Sequence, residues 1–185
     1  TASLTYMQQR PSFCLSASVP KENSKAEVLS SPGIHMLMTV IRDKRTDQAE
    51  YVRTVDRLMA ILAEEGIARL PSVKPQVIET PCGTYQGVTS PDPHTICAVD
   101  IVRSGGILEA VRRVPELKTA KILIQRRRRP SPCCTLYYSK LPQNISKLHI
   151  LLCEPMLATG GSCSMAIDVL KKAGVKEENI LFING

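Results

Sequence analysis

Four short aliphatic runs constrain this chain more than anything else in it: ICAVDIV (96–102), AKILIQ (120–125), LHILLC (148–153) and NILFIN (179–184). Each is mostly apolar at odd and even positions alike, so no alternation marks a wet face. Strands of that kind are the buried central members of a parallel sheet. Helical patterns lie between them: ILEAVRRV after the first run, which Pro115 interrupts, and SMAIDVLKKAG after the third, which Gly174 stops. Strands alternating with helices predict an α/β fold, a mostly parallel sheet flanked by helices and joined by crossovers. The composition agrees. Hydrophobic residues make up 43% of 185, with no Trp and two Phe, so one aliphatic core is expected. No apolar run approaches the ~20 residues that cross a membrane.

Upstream the pattern differs. Residues 1–33 include SFCLSASVPKENSKAEVLSSPG, rich in Ser and Pro and without apolar period, which reads as a disordered tail. A transit peptide fits poorly with Glu22, Glu27 and so few basic residues. The folded domain is expected over 34–185. Tyr51, Val55, Leu58, Met59 and Leu62 recur at helical spacing through AEYVRTVDRLMAILAEEGIARL, with Gly66 near its end and Pro71 beyond. Arg53 and Arg57 read as its solvated face. QVIETPCGTYQGV (76–88) has the form of a hairpin turning at Pro81 and Gly83. RRRRPSPCC is a loop by its prolines, and TLYYSKLP an extended arm.

Several function classes are disfavoured. The seven cysteines are odd in number and form no Cys-x-x-Cys. They read as buried or incidental thiols in a reducing, cytoplasmic setting rather than a disulfide frame or zinc site. Arg126 to Arg129 supply four of the seven net positive charges, leaving +3 for the rest. That is one local block, and nothing aromatic or groove-sized accompanies it, so nucleic-acid binding is the weakest class. A nuclear-localisation signal, or phosphorylation of Ser131 behind basic residues, are alternatives to a plain solvated loop.

The chemistry concentrates in two glycine-bearing turns, RSGG (103–106) and ATGGS (158–162), each at a strand's carboxyl end. In parallel sheets that edge carries the ligand. Gly160 and Gly161 permit positive φ and close backbone approach. The Thr159 and Ser162 hydroxyls, backbone amides and a following helix N-terminus make an anion site suited to a phosphate monoester. No Lys-Ser or Lys-Thr follows the glycines, so this is not the nucleotide P-loop. Glu154 precedes the turn. A carboxylate repels phosphate, so it targets hydroxyls or a ligand-borne metal, and hydroxyls with a monoester describe a ribose 5-phosphate. Arg103 and Arg126, at two other strand ends, suit a pyrophosphate. A tight turn beside an exposed acid is the ordinary alternative.

EPMLATGGS after ILLC resembles the phosphoribosyl-pyrophosphate (PRPP) motif of type I phosphoribosyltransferases, in the form found in uracil phosphoribosyltransferases. TVIRDKRT, VDRLMAILAEEGIARLP, ICAVDIVRSGG, AKILIQR, YYSKLP and GVKEENILFIN resemble the eukaryotic branch in order and spacing. The resemblance implies a flap hairpin over the site and transfer of ribose 5-phosphate from PRPP to uracil N1, giving UMP and pyrophosphate, with no covalent nucleophile. It implies PRPP contacts at Glu154, Pro155, Met156, Leu157, Ala158, Thr159, Gly160, Gly161 and Ser162. It further implies charge stabilisation by Arg103 and Arg126, Mg²⁺ carried with PRPP, a cis Arg103–Ser104 peptide, and association into homo-oligomers. GTP as an activator is implied at Arg57 and Lys118.

Four departures from that pattern stand out. Glu154 replaces the usual Asp. RRRRPSPCC replaces an acidic flap stretch, and a local reading-frame slip is an alternative origin for it. The RSGG turn is shorter and lacks Ala-Gly-Glu. The Gly-Asp-x-Gly-Asp-Arg motif of the family's uracil site does not occur within 1–185. With no initial Met, the chain is expected to be a C-terminally truncated fragment, inactive alone. The alternative is a non-catalytic PRPP-binding homologue serving as sensor or partner subunit.

Overall fold

The computed structural model describes residues 26–102, 106–114, 116–126 and 134–185. Most of the tail 1–33, the start of the RSGG turn (Arg103 to Gly105), Pro115, and residues 127–133 of the arginine-rich loop lie outside them, as do the expectations placed there. By contacts the chain divides into Thr1–Ser31 and Pro32–Gly185.

The second unit begins with α1 (Pro32–Arg42) and α2 (Gln48–Ala68). Asp47 caps α2, its carboxylate accepting from the Glu50 amide at 2.8 Å, which satisfies one of the helix's orphan N–H groups. An antiparallel hairpin follows, β1 (Pro75–Thr80) and β2 (Gly83–Val88). Then come β3 (Ile96–Ile101), α3 (Gly106–Val111), β4 (Lys118–Arg126), β5 (Cys134–Lys140), β6 (His149–Glu154), α4 (Gly161–Lys172) and β7 (Ile180–Asn184).

The main sheet has the order β5-β4-β3-β6-β7. Pairings β4–β3–β6–β7 are parallel, and β5 runs antiparallel at one edge. The arm expected at TLYYSKLP is therefore an edge strand of this sheet. The loop expected at RRRRPSPCC is narrower than its composition suggests, because Arg126 ends β4, Cys134 opens β5, and the two are register partners. A ladder between the flanking strands overrides the loop character of their terminal residues.

Every residue of β3 is buried, as are the last five of β6. Two cores form on the sheet's two faces. Ala98, Leu151 and Cys153 pack under Leu58, Ala63 and Ile67 of α2 and Leu108 of α3. Val99, Ile122, Ile150 and Leu152 pack under Cys163, Ala166 and Leu170 of α4. Burial on both faces explains the absence of alternation in the sequence. The chain runs outward from β3 to β4 and β5, then returns to lay β6 on the other side of β3. The carboxyl ends of β3 and β6 thus border the point where strand order reverses, the crevice where open α/β sheets hold ligands.

Candidate functional site

β6 delivers Glu154 to that crevice. The residue is 5% exposed, so it is not the exposed acid of an ordinary turn. Alternation along β6 puts Cys153 in the α2 core and Glu154 on the α4 side. Glu154 lines one hollow with Gly161 and Ser162 of the first turn of α4, and burial first, then its negative charge, push the Cys163 thiol up to about 11.

The chain then turns through 155–160. Gly160 adopts φ +74°, ψ −4°, a left-handed conformation open to glycine at little cost. Its carbonyl accepts the first helical bond, from the Ser164 amide at 2.8 Å. The first amides of α4 have no acceptor within the helix and sit at its positive end. Lys171 and Lys172 occupy the opposite, negative end. Gly161 is helical, and its missing Cβ serves another purpose: an added one would lie 3.2 Å from Cys134 Sγ. Of the two glycines, one provides the turn and the other a close approach.

These residues form one shallow cup with about 30 Å³ of enclosed room, open beyond that to solvent and lined by Cys134, Glu154, Met156 to Ala158, Thr159, Gly160, Gly161 and Ser162. Eight of its nine lining residues were expected from the sequence. Pro155 is half-buried and outside the lining, with its carbonyl facing Gly185. Met156 is 75% exposed at the rim. Cys134 was missed, because its contact is made across the sheet and no local pattern announces it. Arg103 lies outside the described residues. Arg126 is placed at the end of β4, on the cup's edge of the sheet.

A roomier hollow, with about 360 Å³ of enclosed room, lies between α1, α2 and the segment just after α3. Met36, Leu37, Ala60 and Ile61 make its walls apolar, with Arg57, Asp56 and Arg113 at its polar end. Lys118 does not line it; its ammonium donates to the His94 carbonyl at 3.1 Å. The cup, although smaller, gathers the donors and the buried acid.

Among the described residues no three His, Cys, Asp or Glu side chains gather as a metal cage. No described helix is long and apolar enough to cross a membrane.

A family model for uracil phosphoribosyltransferase matches residues 28–185. Uracil phosphoribosyltransferase of Dictyostelium discoideum is 44% identical over 151 residues, covering 80% of this chain and 68% of that one. The Saccharomyces cerevisiae enzyme of the same name is 42% identical with the same coverage. Uridine kinase-like protein 3 of Arabidopsis thaliana is 39% identical over 155 residues, 82% of this chain but 32% of its own length. Among solved structures, the AQ2163 protein of Aquifex aeolicus superposes with TM-score 0.65 at 24% identity, over 85% of this chain and 74% of that one. That likeness speaks for the fold.

Proposed function

Because the chain belongs to the uracil phosphoribosyltransferase family, we propose that the turn after β6 seats the 5-phosphate of PRPP. The protein is a phosphoribosyltransferase, joining ribose 5-phosphate to uracil N1 with release of pyrophosphate. The non-catalytic alternative is not favoured. The observation that carries the site assignment is the shared cup: a buried carboxylate, a left-handed glycine and a helix N-terminus meet around one hollow.

In this reading the 5-phosphate takes hydrogen bonds from the first amides of α4 and the Thr159 and Ser162 hydroxyls. The positive end of α4 attracts its charge. Glu154 cannot tolerate the phosphate and instead accepts from ribose hydroxyls. As the C1′–pyrophosphate bond loosens, positive charge develops on the ribose ring. A buried carboxylate fixed beside that ring stabilises it in a water-poor setting. Arg103 and Arg126 would neutralise the departing pyrophosphate. Mg²⁺, when bound with PRPP, would supply further charge neutralisation there. No covalent nucleophile is required; rate comes from positioning and preorganised charge.

Titration with PRPP–Mg²⁺, paired with conversion of labelled uracil to UMP, tests this. Wild-type protein binds PRPP. Glu154→Gln, with unchanged thermal unfolding, binds about ten- to a hundredfold more weakly, the loss of one or more charge-assisted hydrogen bonds. Wild-type protein that ignores PRPP, or a Gln variant that binds it equally well, sinks the assignment.

A further inference from the structure

The contact between Cys134 and Gly161 joins two parts of the molecule far apart in sequence. Cys134 opens the edge strand β5, directly across from Arg126 at the end of β4. Gly161 opens helix α4, whose first turn forms one wall of the cup. Cys134 is half-buried, packs against the core under α4 and lines the same cup. A Cβ built on Gly161 points at the thiol, 3.2 Å from Sγ, with Thr159 Oγ1 next at 3.9 Å. Glycine at 161 is not demanded by the backbone, since the residue is helical and its φ is not positive. Alanine is the better helix former, so helix propensity does not call for glycine there. What glycine provides is room for sulfur.

We propose that Cys134 is a positioning residue for the donor's 5-phosphate: its thiol, seated on the bare Cα of Gly161, sets the spacing between the edge strand and the phosphate turn. The inference rests on the cup being the seat of that phosphate. Sulfur lies 3.2 Å from where a side chain at 161 would begin, so a Cβ there requires the thiol or the turn to give by a few tenths of an ångström. Interiors are packed closely enough that a displacement of a few tenths of an ångström passes to the neighbouring wall. Thr159, the next atom along, is itself part of the phosphate seat.

The test is a double-variant cycle read by binding of three ligands: PRPP–Mg²⁺, ribose 5-phosphate and pyrophosphate. Gly161→Ala weakens PRPP and ribose 5-phosphate by about tenfold, the order expected for a sub-ångström misplacement, and leaves pyrophosphate unchanged. Cys134→Ala, which removes the thiol that sets the spacing, weakens PRPP and ribose 5-phosphate binding, by less than Gly161→Ala does, and leaves pyrophosphate unchanged; unchanged ribose 5-phosphate binding in this variant overturns the positioning role. Combining the two restores ribose 5-phosphate binding to within about twofold of wild type, near the limit at which independent effects add. Cys134→Leu, which crowds Gly161 from the other side, reproduces the Gly161→Ala defect. Thermal unfolding of each variant confirms that binding is compared between folded proteins.

Gly161→Ala binding ribose 5-phosphate normally overturns the inference. So does a double variant as weak as the single one, since the added methyl then obstructs the ligand directly and not through sulfur. Equal weakening of pyrophosphate overturns it as well, because the effect is then not confined to the phosphate turn. Wild-type protein that binds neither PRPP nor ribose 5-phosphate removes the site assignment, and this inference with it. Wild-type binding with strictly additive variants removes the inference alone.

Discussion

Asp100 is a buried carboxyl in the middle of the sheet, 4% exposed, with an Oδ1 that has no hydrogen-bond partner. Burial holds its pKa above the usual carboxylate range, opposed by the charges of Lys121 and Arg112 and assisted by Glu109. A carboxyl that keeps its proton more tightly when folded contributes most at low pH. That contribution falls away as pH rises from its unfolded value, near 4, through the raised folded one. Asp100→Asn is therefore expected to raise the unfolding temperature at pH 7, with the gain shrinking towards pH 4. Thermal melts of both proteins across that range check it; a gain that grows on acidification contradicts the assignment of burial as the cause. The position also shows a limit of sequence reading. Within ICAVDIV the acid looks like one polar interruption, and nothing local says that its carboxyl lies in the core. Glu154 was legible for the opposite reason, because it stands between an aliphatic run and a glycine turn.

At the scale of elements, α2 was readable from its apolar period, and Gly66 was expected near its end as punctuation. The structure gives it another role. The helix runs on to Ala68, and Gly66 is buried against β7, where an added Cβ would collide with Ile183 Cδ1 and meet Cγ1 at 3.1 Å. Ile183 is buried and β-branched, so it has little freedom to swing aside. Gly66→Ala gains about 1 kcal/mol of helix propensity against about 1–3 kcal/mol of overpacking. The net expectation is a destabilisation of up to ~2 kcal/mol in urea unfolding, set by the balance of those two ranges. Adding Ile183→Val should recover part of it, and a fully additive pair rules out the contact as the cause. The same distinction separates Gly160 from Gly161: a glycine needed for φ and one needed for space look identical in sequence.

At the scale of the whole molecule, one described hairpin has no cover on either face. The β1–β2 hairpin was legible, but both its faces are exposed, Val77 at 65% and Val88 at 66% on one and Ile78 at 44% and Tyr85 at 60% on the other. Its base is tied down: the Lys74 amide donates to Thr89 Oγ1 at 2.9 Å, and the Thr89 amide to the Lys74 carbonyl at 2.8 Å. An isolated two-stranded hairpin is at best marginally stable in water, so this arm is expected to be covered by a second copy. Light scattering should give a multiple of 20.4 kDa. Replacing Val77 and Val88 by Lys should shift the mass towards a single chain; a monomeric wild-type protein removes the expectation. The central strands, helices α2 and α4, their order and the glycine turn after β6 could be read from the chain, because strand and helix periods and glycine placement are local signals. The reversal of strand order that sets β6 beside β3, the burial of Asp100, and the meeting of Cys134 with Gly161 could not. They arise from contacts between residues distant in sequence, whose geometry exists only after the layers pack.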